Sequence, residues 1–488
     1  MTKKALKILF LAAEAVPFAK VGGLADVAGS LPKALRTLGH DVRLMIPRYG
    51  AIRSDQFSLN KIGDPFPVKI GGGEEHIHLI GSSLDVGTEM EVPVYLIWNE
   101  SYFSSRDQIY GFEDDAQRFV LFGRGALAAL QKMDWQPDVI HANDWHTGFV
   151  PAWLGTVGWR EPAYRDIATL FTIHNLTYQG VSGRLILTFA HLEQLKHLEV
   201  EAPGTVNWMA QGIAHADLIN TVSERYAQEI LSPDMGMGLD PLLNARKDRL
   251  FGVVNGLDYD QWDPASDPHI PHNFDSQRID QRSANKTALQ QQARLPVRAD
   301  APLVGMVTRL DHVKGLGLMG PVLEWLIERD AQFVLLGSGD SDYHEMFEQF
   351  QSRYPSQVHA FLKFDPVLAR RIYAGADLFL MPSAVEPCGL GQMIAMRYGC
   401  VPVVRAVGGL ADTVADNTEM QGRGTGFTFT AFTPEACQEA LQRALETYER
   451  DDAWRSVQQR GMRADFSWTV SAQKYVALYR KAIDLHNS

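Results

Sequence analysis

Short runs of Val, Ile, Leu and Phe recur along the whole chain, and stretches with the apolar spacing of an amphipathic helix lie between many of them. A first series predicts strands over residues 8–12, 42–46, 94–98, 139–141, 168–173, 218–222 and 251–254. A second predicts strands over 303–307, 333–336, 358–361, 378–381, 401–404 and 427–429. Helical patterns cover 25–38, 116–130 and 367–374. Strands that alternate with helices form parallel sheets covered on both faces, because each crossover lays a helix back on the sheet. The chain is therefore read as α/β, with two Rossmann-like, doubly wound domains.

Residues 258–302 separate the two series. Pro264, Pro268, Pro271, Pro296 and Pro302 fall there, around a polar, Gln-rich helix candidate at 282–293, as expected of a linker. The expected division is a first domain at 1–260, a linker at 261–302, a second domain at 303–465 and a terminal helical segment at 466–488. In that last segment Tyr475, Leu478, Tyr479 and Ile483 share one helical face, so it should dock on a neighbour.

Ligands of open α/β sheets bind beyond the carboxyl ends of the strands. The unusual polar residues crowd into those places. Lys20, Gly22, Gly23 and Asp26 follow the first strand; Asn143, Asp144 and His146 follow residues 139–141; His174 and Asn175 follow 168–173; Asn255-Gly256 follows 251–254. In the second series Arg309 and Lys314-Gly315 follow 303–307, and Glu386 follows 378–381. Each has an ordinary alternative, such as a helix cap for His174 or a surface pair of Arg309 with Asp311, but their common placement favours a site. The stretch 383–399 is the densest: Glu386, Pro387, Cys388 and Gly389 open a helix, where backbone N–H groups accept an anion and a carboxylate can grip hydroxyls. One echo stands out. Val21-Gly-Gly-Leu-Ala-Asp26 recurs letter for letter as Val407-Gly-Gly-Leu-Ala-Asp412, which suggests one such helix entry per domain.

Composition narrows the function. A chain of 488 residues has room for two or three domains, and a net charge of −12 argues against a nucleic-acid partner. An anionic ligand must then be held by local cations against the global field. Three cysteines make no disulfide framework, and no apolar run approaches the ~20 residues that cross a bilayer. Lys3-Lys4 and Ala13-Glu14-Ala15 superficially resemble a signal peptide, but Lys7 interrupts the apolar run. A cytoplasmic protein without a membrane partner is expected. Gly337-Ser-Gly339 lacks the third glycine of a dinucleotide fingerprint, since Asp342 stands in its place. Asp258-Tyr-Asp260 and Asp340-Ser-Asp342 match the D-x-D that some sugar transferases use for a metal, while His141 and His146 lack metal-ligand spacing.

Together these residues form a recognisable pattern. Phe18-Ala-Lys-Val-Gly-Gly-Leu-Ala-Asp-Val27 resembles the K-[TV]-G-G-L-[AG]-D-V signature of bacterial glycogen synthases and starch synthases. Blocks beginning at His141, Thr172, Val254, Thr308 and Glu386 resemble the later motifs in the same order, and the likeness runs from about residue 7 to about 480. The resemblance implies the glycosyltransferase B fold, two Rossmann-like domains facing across a cleft, with the last helix returning to the first domain. It implies glucosyl transfer from ADP-glucose to the non-reducing end of an α-1,4-glucan or maltooligosaccharide, with retention and with no metal or other cofactor. A donor such as UDP-glucose, a small acceptor, or a catalytically weakened glucan-binding paralogue are the alternatives, and the oligomeric state stays open.

By the same resemblance, Lys20, Gly22, Gly23 and Asp26 belong to a loop approaching donor phosphates and glucose. Asp144, His174, Asn175 and Asn255 surround the glucosyl unit. Arg309 and Lys314 lie on the diphosphate, and Glu386, Cys388, Gly389, Leu390 and Gly391 hold glucose hydroxyls and phosphate. His174, Glu386, Arg309 and Lys314 are expected to carry catalysis. Three positions depart: where the family usually has S-R-F-E-P-C-G-L-T-Q, this chain has Ala384, Val385 and Gly391 in place of Arg, Phe and Thr. The Thr hydroxyl is thereby lost as a phosphate contact, although a glycine N–H remains.

Overall fold

The structure, a computed structural model, describes residues 4–198 and 204–488; Lys3 of the N-terminal basic pair lies outside them. The chain divides into two compact units. Unit 1 comprises Met1–Val222, Ala227–Gly256 and Trp468–Ser488, and unit 2 comprises Ser223–Tyr226 and Leu257–Ser467.

Unit 1 contains β1 (Lys7–Leu11), β2 (Asp41–Pro47), β3 (Asn60–Ile70), β4 (Gly73–Leu84), β5 (Val92–Trp98), β6 (Val139–Asn143), β7 (Ala168–Ile173), β8 (Val181–Gly183), β9 (Thr205–Asn207), β10 (Leu218–Thr221) and β11 (Leu250–Gly252). Its main sheet runs β11-β10-β7-β6-β1-β2-β5-β4-β3, and β8 pairs with β9 in a separate ribbon. The strands from β11 to β5 pair in parallel, whereas β4 and β3 add an antiparallel edge. That hairpin departs from the all-parallel expectation. Its strands carry no continuous apolar run: in β3 only Phe66, Val68 and Ile70 are buried, in alternation, and Pro65 and Pro67 suit an edge.

Unit 2 contains β12 (Leu303–Leu310), β13 (Gln332–Gly339), β14 (Val358–Phe361), β15 (Leu378–Met381), β16 (Val401–Arg405) and β17 (Phe427–Phe429). They pair in parallel in the order β14-β13-β12-β15-β16-β17. This third-second-first-fourth-fifth-sixth order is that of a doubly wound dinucleotide fold. Successive crossovers run one way from β12 and the other way from β15, so the loops after these two strands diverge and leave a crevice. In unit 1 the reversal falls between β1 and β6.

The stretch 261–302, expected as a linker, is instead part of unit 2. Ile270, Phe274, Ile279 and Leu289 share an apolar core with Leu336, Ile372 and Phe379. The polar helix Arg282–Gln292 turns its polar face inward. Lys286 Nζ lies 2.8 Å from the Asp377 carboxylate and donates to Ala301 O at 2.7 Å, while Gln290 donates to Gln332 Oε1 at 2.7 Å. A polar composition reads as solvated only when partners are unknown; here the buried groups are all paired. The helix Trp468–His486 lies in unit 1 against the helix Gly23–Thr37 and β7. Tyr475 accepts a hydrogen bond from Asn220 at 3.1 Å, and the Tyr479 hydroxyl meets His141 Nδ1 at 2.9 Å.

Candidate active site

In unit 1 the candidate residues gather where the loops after β1 and β6 part. Glu14, which sequence reasoning noted only as part of a possible cleavage site, is buried just past β1. Its carboxylate accepts the Val21 N–H at 2.5 Å and the Gly22 N–H at 3.1 Å, tying down the turn that precedes the helix Gly23–Thr37. Burial pushes its pKa up, and the two backbone N–H groups work against that shift. Lys20 bonds Asp26 at 2.6 Å, so the expected phosphate-facing cation already has a carboxylate partner. A Cβ on Gly23 would meet nothing within 4 Å, which leaves the backbone there open to close approach.

The repeat in unit 2 uses its glycines differently. A Cβ on Gly408 would lie 2.1 Å from Glu386 O, and one on Gly409 would lie 2.0 Å from Cys388 O. The same letters thus make an accessible loop in one unit and a support beneath another loop in the other.

Asp144, after β6, has φ 56° and ψ 178°, a conformation almost confined to glycine. Its carboxylate accepts the His174 N–H at 2.7 Å, which joins the loops after β6 and β7. Burial pushes the Asp144 carboxyl up to about 7. Asn143 fixes the tautomer of His174. Its amide nitrogen donates to Leu11 O at 2.9 Å, so its oxygen faces His174 Nε2 at 2.8 Å and can only accept. His174 therefore carries its proton on Nε2 and presents Nδ1 as an acceptor. Burial lowers its pKa to about 3, so the ring is neutral at physiological pH.

His146 and His141 are held by contacts in the core. His146 stacks on Tyr110 with ring centroids 4.7 Å apart, and His141 Nε2 meets Thr172 Oγ1 at 2.7 Å in the core. Asn175 closes its own turn by accepting the Thr177 N–H at 3.0 Å. Asn255 lies after β11, buried, and among the described residues its Oδ1 has no hydrogen-bond partner. The adjacent Gly256 is required because a Cβ there would lie 2.5 Å from the Trp468 Cα.

Unit 2 has its own cluster, at the crevice between β12 and β15. Arg309, Lys314, Glu386, Gly389, Leu390 and Gly391 line one recess of about 240 Å³, together with Ser383 and Tyr373. Lys314 Nζ bonds Glu386 Oε2 at 2.8 Å, and Ser383 Oγ donates to the same oxygen at 3.0 Å. Arg309 is largely exposed and lies 3.2 Å from Asp311, which makes the expected surface pair, while it also lines the recess. Gly315 follows Lys314 with φ 75°, and a Cβ there would strike Pro382 O at 2.0 Å; the close packing of this turn on the end of β15 brings Lys314 to Glu386. Cys388 is buried and does not line the recess; its carbonyl accepts the Gln392 side chain at 3.1 Å. Where the family pattern has Arg at 384, Arg405 at the end of β16 instead donates to Ala384 O at 2.8 Å.

The D-x-D pairs have local roles. Asp258 accepts the Asp260 N–H at 3.0 Å and the Gln261 side chain at 3.1 Å, and Asp340 precedes the helix Ser341–Arg353. Among the described residues no helix is long and apolar enough to cross a membrane.

Comparison with known proteins covers both units. The starch synthase catalytic domain family matches residues 7–245, and the family of group 1 glycosyl transferases matches residues 289–460. Glycogen synthase of Moorella thermoacetica is 46% identical over 484 residues, covering 99% of this chain and 98% of that protein. Glycogen synthase of Syntrophotalea carbinolica is 46% identical over 490 residues, covering 99% and 100%. The chain belongs to the glycogen and starch synthase family. Like other glycogen and starch synthases it is a glucosyltransferase. The catalytic domain of Arabidopsis thaliana starch synthase IV, bound to ADP and acarbose, superposes with a TM-score of 0.89 at 34% identity, covering 99% of this chain and all of that one. This match gives the synthase the glycosyltransferase B fold. Sucrose-phosphate synthase of Thermosynechococcus elongatus, at 19% identity and a TM-score of 0.59, shares the fold alone.

Sequence reasoning thus located the polar residues of each unit but assigned no role to Glu14, Ser383 or Tyr373. A carboxylate buried among alanines directly past β1 was the available signal for Glu14. Tyr373 sat inside an ordinary helical pattern and gave none.

Proposed function

We propose that this synthase transfers glucose from ADP-glucose to the non-reducing end of an α-1,4-glucan, with retention of configuration and without a metal ion. The observation that carries this reading is the recess of unit 2, where Arg309, Lys314 and Glu386 line one small volume. Cleavage of the glucose–phosphate bond places charge on the departing diphosphate, and Arg309 and Lys314 neutralise it. Glu386, steadied by Ser383, accepts hydrogen bonds from hexose hydroxyls and orients the sugar. Starch synthase IV of Arabidopsis thaliana, the structural relative, was bound to ADP and acarbose, which supports a nucleoside diphosphate and an oligosaccharide as ligands here.

The sugar passes through an oxocarbenium-like state. A retaining hydrolase stabilises such a state with two carboxylates about 5–5.5 Å apart, one of them a nucleophile. The helix Gly391–Arg397 that follows Glu386 contains no carboxylate, and Ile394 stands eight residues on from Glu386. The acceptor hydroxyl therefore attacks from the face the phosphate leaves, and the phosphate oxygen takes its proton. In this scheme His174 Nδ1 accepts from a hexose hydroxyl, a role that suits a neutral ring. Incubation with ADP-glucose or UDP-glucose and maltoheptaose, resolving products by length and linkage, tests the reading. Elongation by α-1,4-linked glucose from ADP-glucose, undiminished by a chelator, is expected; absence of elongation from either donor overturns it.

A further inference from the structure

Tyr373 is an unexplained residue of the recess. It lies on the helix Pro366–Gly375, only 5% exposed, with its ring 4.9 Å from Phe379 and 6.1 Å from Trp262, centroid to centroid. These contacts fix the ring and leave the hydroxyl to open on the recess that Arg309, Lys314 and Gly391 also line. A buried phenol ordinarily finds a hydrogen-bond partner. Among the described residues the Tyr373 hydroxyl has none; the backbone carbonyl of the same residue is the atom that Arg282 bonds. Burial holds its pKa above the usual phenol value, so it remains a donor across the working range of pH.

Position 391 supplies the second observation. A Cβ built on Gly391 would lie 3.4 Å from Tyr373 Oη, 3.1 Å from Phe379 Cε1 and 3.4 Å from Met381 Sδ. A side chain at 391 would therefore lie directly against the phenol hydroxyl. Gly391 leaves the space there to the hydroxyl, in the chain that lacks the family's usual Thr at this position.

Resting on the function proposed above, we propose that Tyr373 is a donor-binding residue whose hydroxyl hydrogen-bonds an oxygen of the nucleotide's diphosphate, taking the part that a hydroxyl at position 391 would otherwise play. The two cations of the recess select an anionic ligand, and a fixed neutral donor between them and the glycine turn adds a directional bond at no cost in charge repulsion.

The test titrates ADP, and separately measures steady-state kinetics with ADP-glucose, on the wild type, Tyr373→Phe and Tyr373→Phe/Gly391→Thr. The single change removes one oxygen and keeps the ring packing. ADP is expected to bind about tenfold more weakly, KM for the donor to rise by a similar factor, and the melting temperature to stay within about 2 °C. The double variant is expected to recover most of the lost affinity, because Thr enters the vacated space. An ADP affinity within twofold of wild type in Tyr373→Phe overturns this inference and leaves the proposed function intact. A wild type that binds neither ADP nor UDP overturns both.

Discussion

Lys314 and Glu386, 72 residues apart in sequence, form an ion pair of 2.8 Å that joins the loop after β12 to the loop after β15. Both side chains are mostly buried, with 19% and 9% of their surfaces exposed. The pair that handles diphosphate and hexose in the proposed reaction is therefore also a tie across the crevice of unit 2. A bound diphosphate must share Lys314 with the carboxylate or draw it away.

Replacing one partner should be worse for stability than replacing both. Lys314→Ala leaves Glu386 with Ser383 alone, and a cost of about 3 kcal/mol in urea unfolding is expected, with part of it regained in Lys314→Ala/Glu386→Gln. Glu386→Ala should lower kcat by more than tenfold. A smaller loss with unchanged KM removes its assigned role.

The two Gly-Gly turns should respond in opposite ways to the same substitution. Gly409→Ala drives a Cβ into Cys388 O and should destabilise the protein by more than about 2 kcal/mol, read as a lower urea midpoint. Gly23→Ala meets open space, so its unfolding free energy should change by less than about 0.5 kcal/mol while KM for the nucleotide sugar rises.

Burial raises the Asp144 carboxyl from the ordinary aspartate value of about 3.8 to about 7. Between these values the folded state binds the extra proton, so this carboxyl favours folding most below pH 4 and loses that contribution as pH rises to about 7. The stability of wild type relative to Asp144→Asn should fall across that window and level off above it. Chemical denaturation of both proteins from pH 4 to 8 reads the difference, and a constant gap contradicts the shift.

His486 pairs with Asp217 at 3.1 Å and donates from Nε2 to Arg165 O at 2.7 Å, fastening the end of the last helix within unit 1. The hydrogen bond to Asp217 raises its pKa to about 9. The cationic ring thus adds stability that is complete below pH 6.5 and disappears as pH rises through about 9. The melting temperature of His486→Gln should lie below that of wild type at pH 6.5 and converge on it near pH 9.5.

Residues close in sequence to a strand end declared themselves through composition. Runs such as Leu378–Met381 are apolar on both faces, and a parallel strand covered by helices needs that pattern. The polar residues directly after them therefore marked the carboxyl edges of both sheets, and six ordered motifs were enough to indicate the family. The β3–β4 hairpin was missed because an edge strand buries one face and needs only alternation. The helix Arg282–Gln292 was misplaced because a polar side chain looks the same in sequence whether water or a buried carboxylate satisfies it; Asp377, the partner of Lys286, stands far along the chain.

By itself the sequence determined the α/β class, the glucosyltransferase family and the set of chemically capable residues, since these follow from local periodicity and from motifs contiguous in the chain. Tertiary structure alone decided which of them meet: Lys314 with Glu386, Asn143 with His174, Glu14 with the first glycine turn, and the Tyr373 hydroxyl with the space left by Gly391. Protonation and hydrogen-bond direction depend on burial and on partners brought from distant strands, and a linear chain contains neither until it folds.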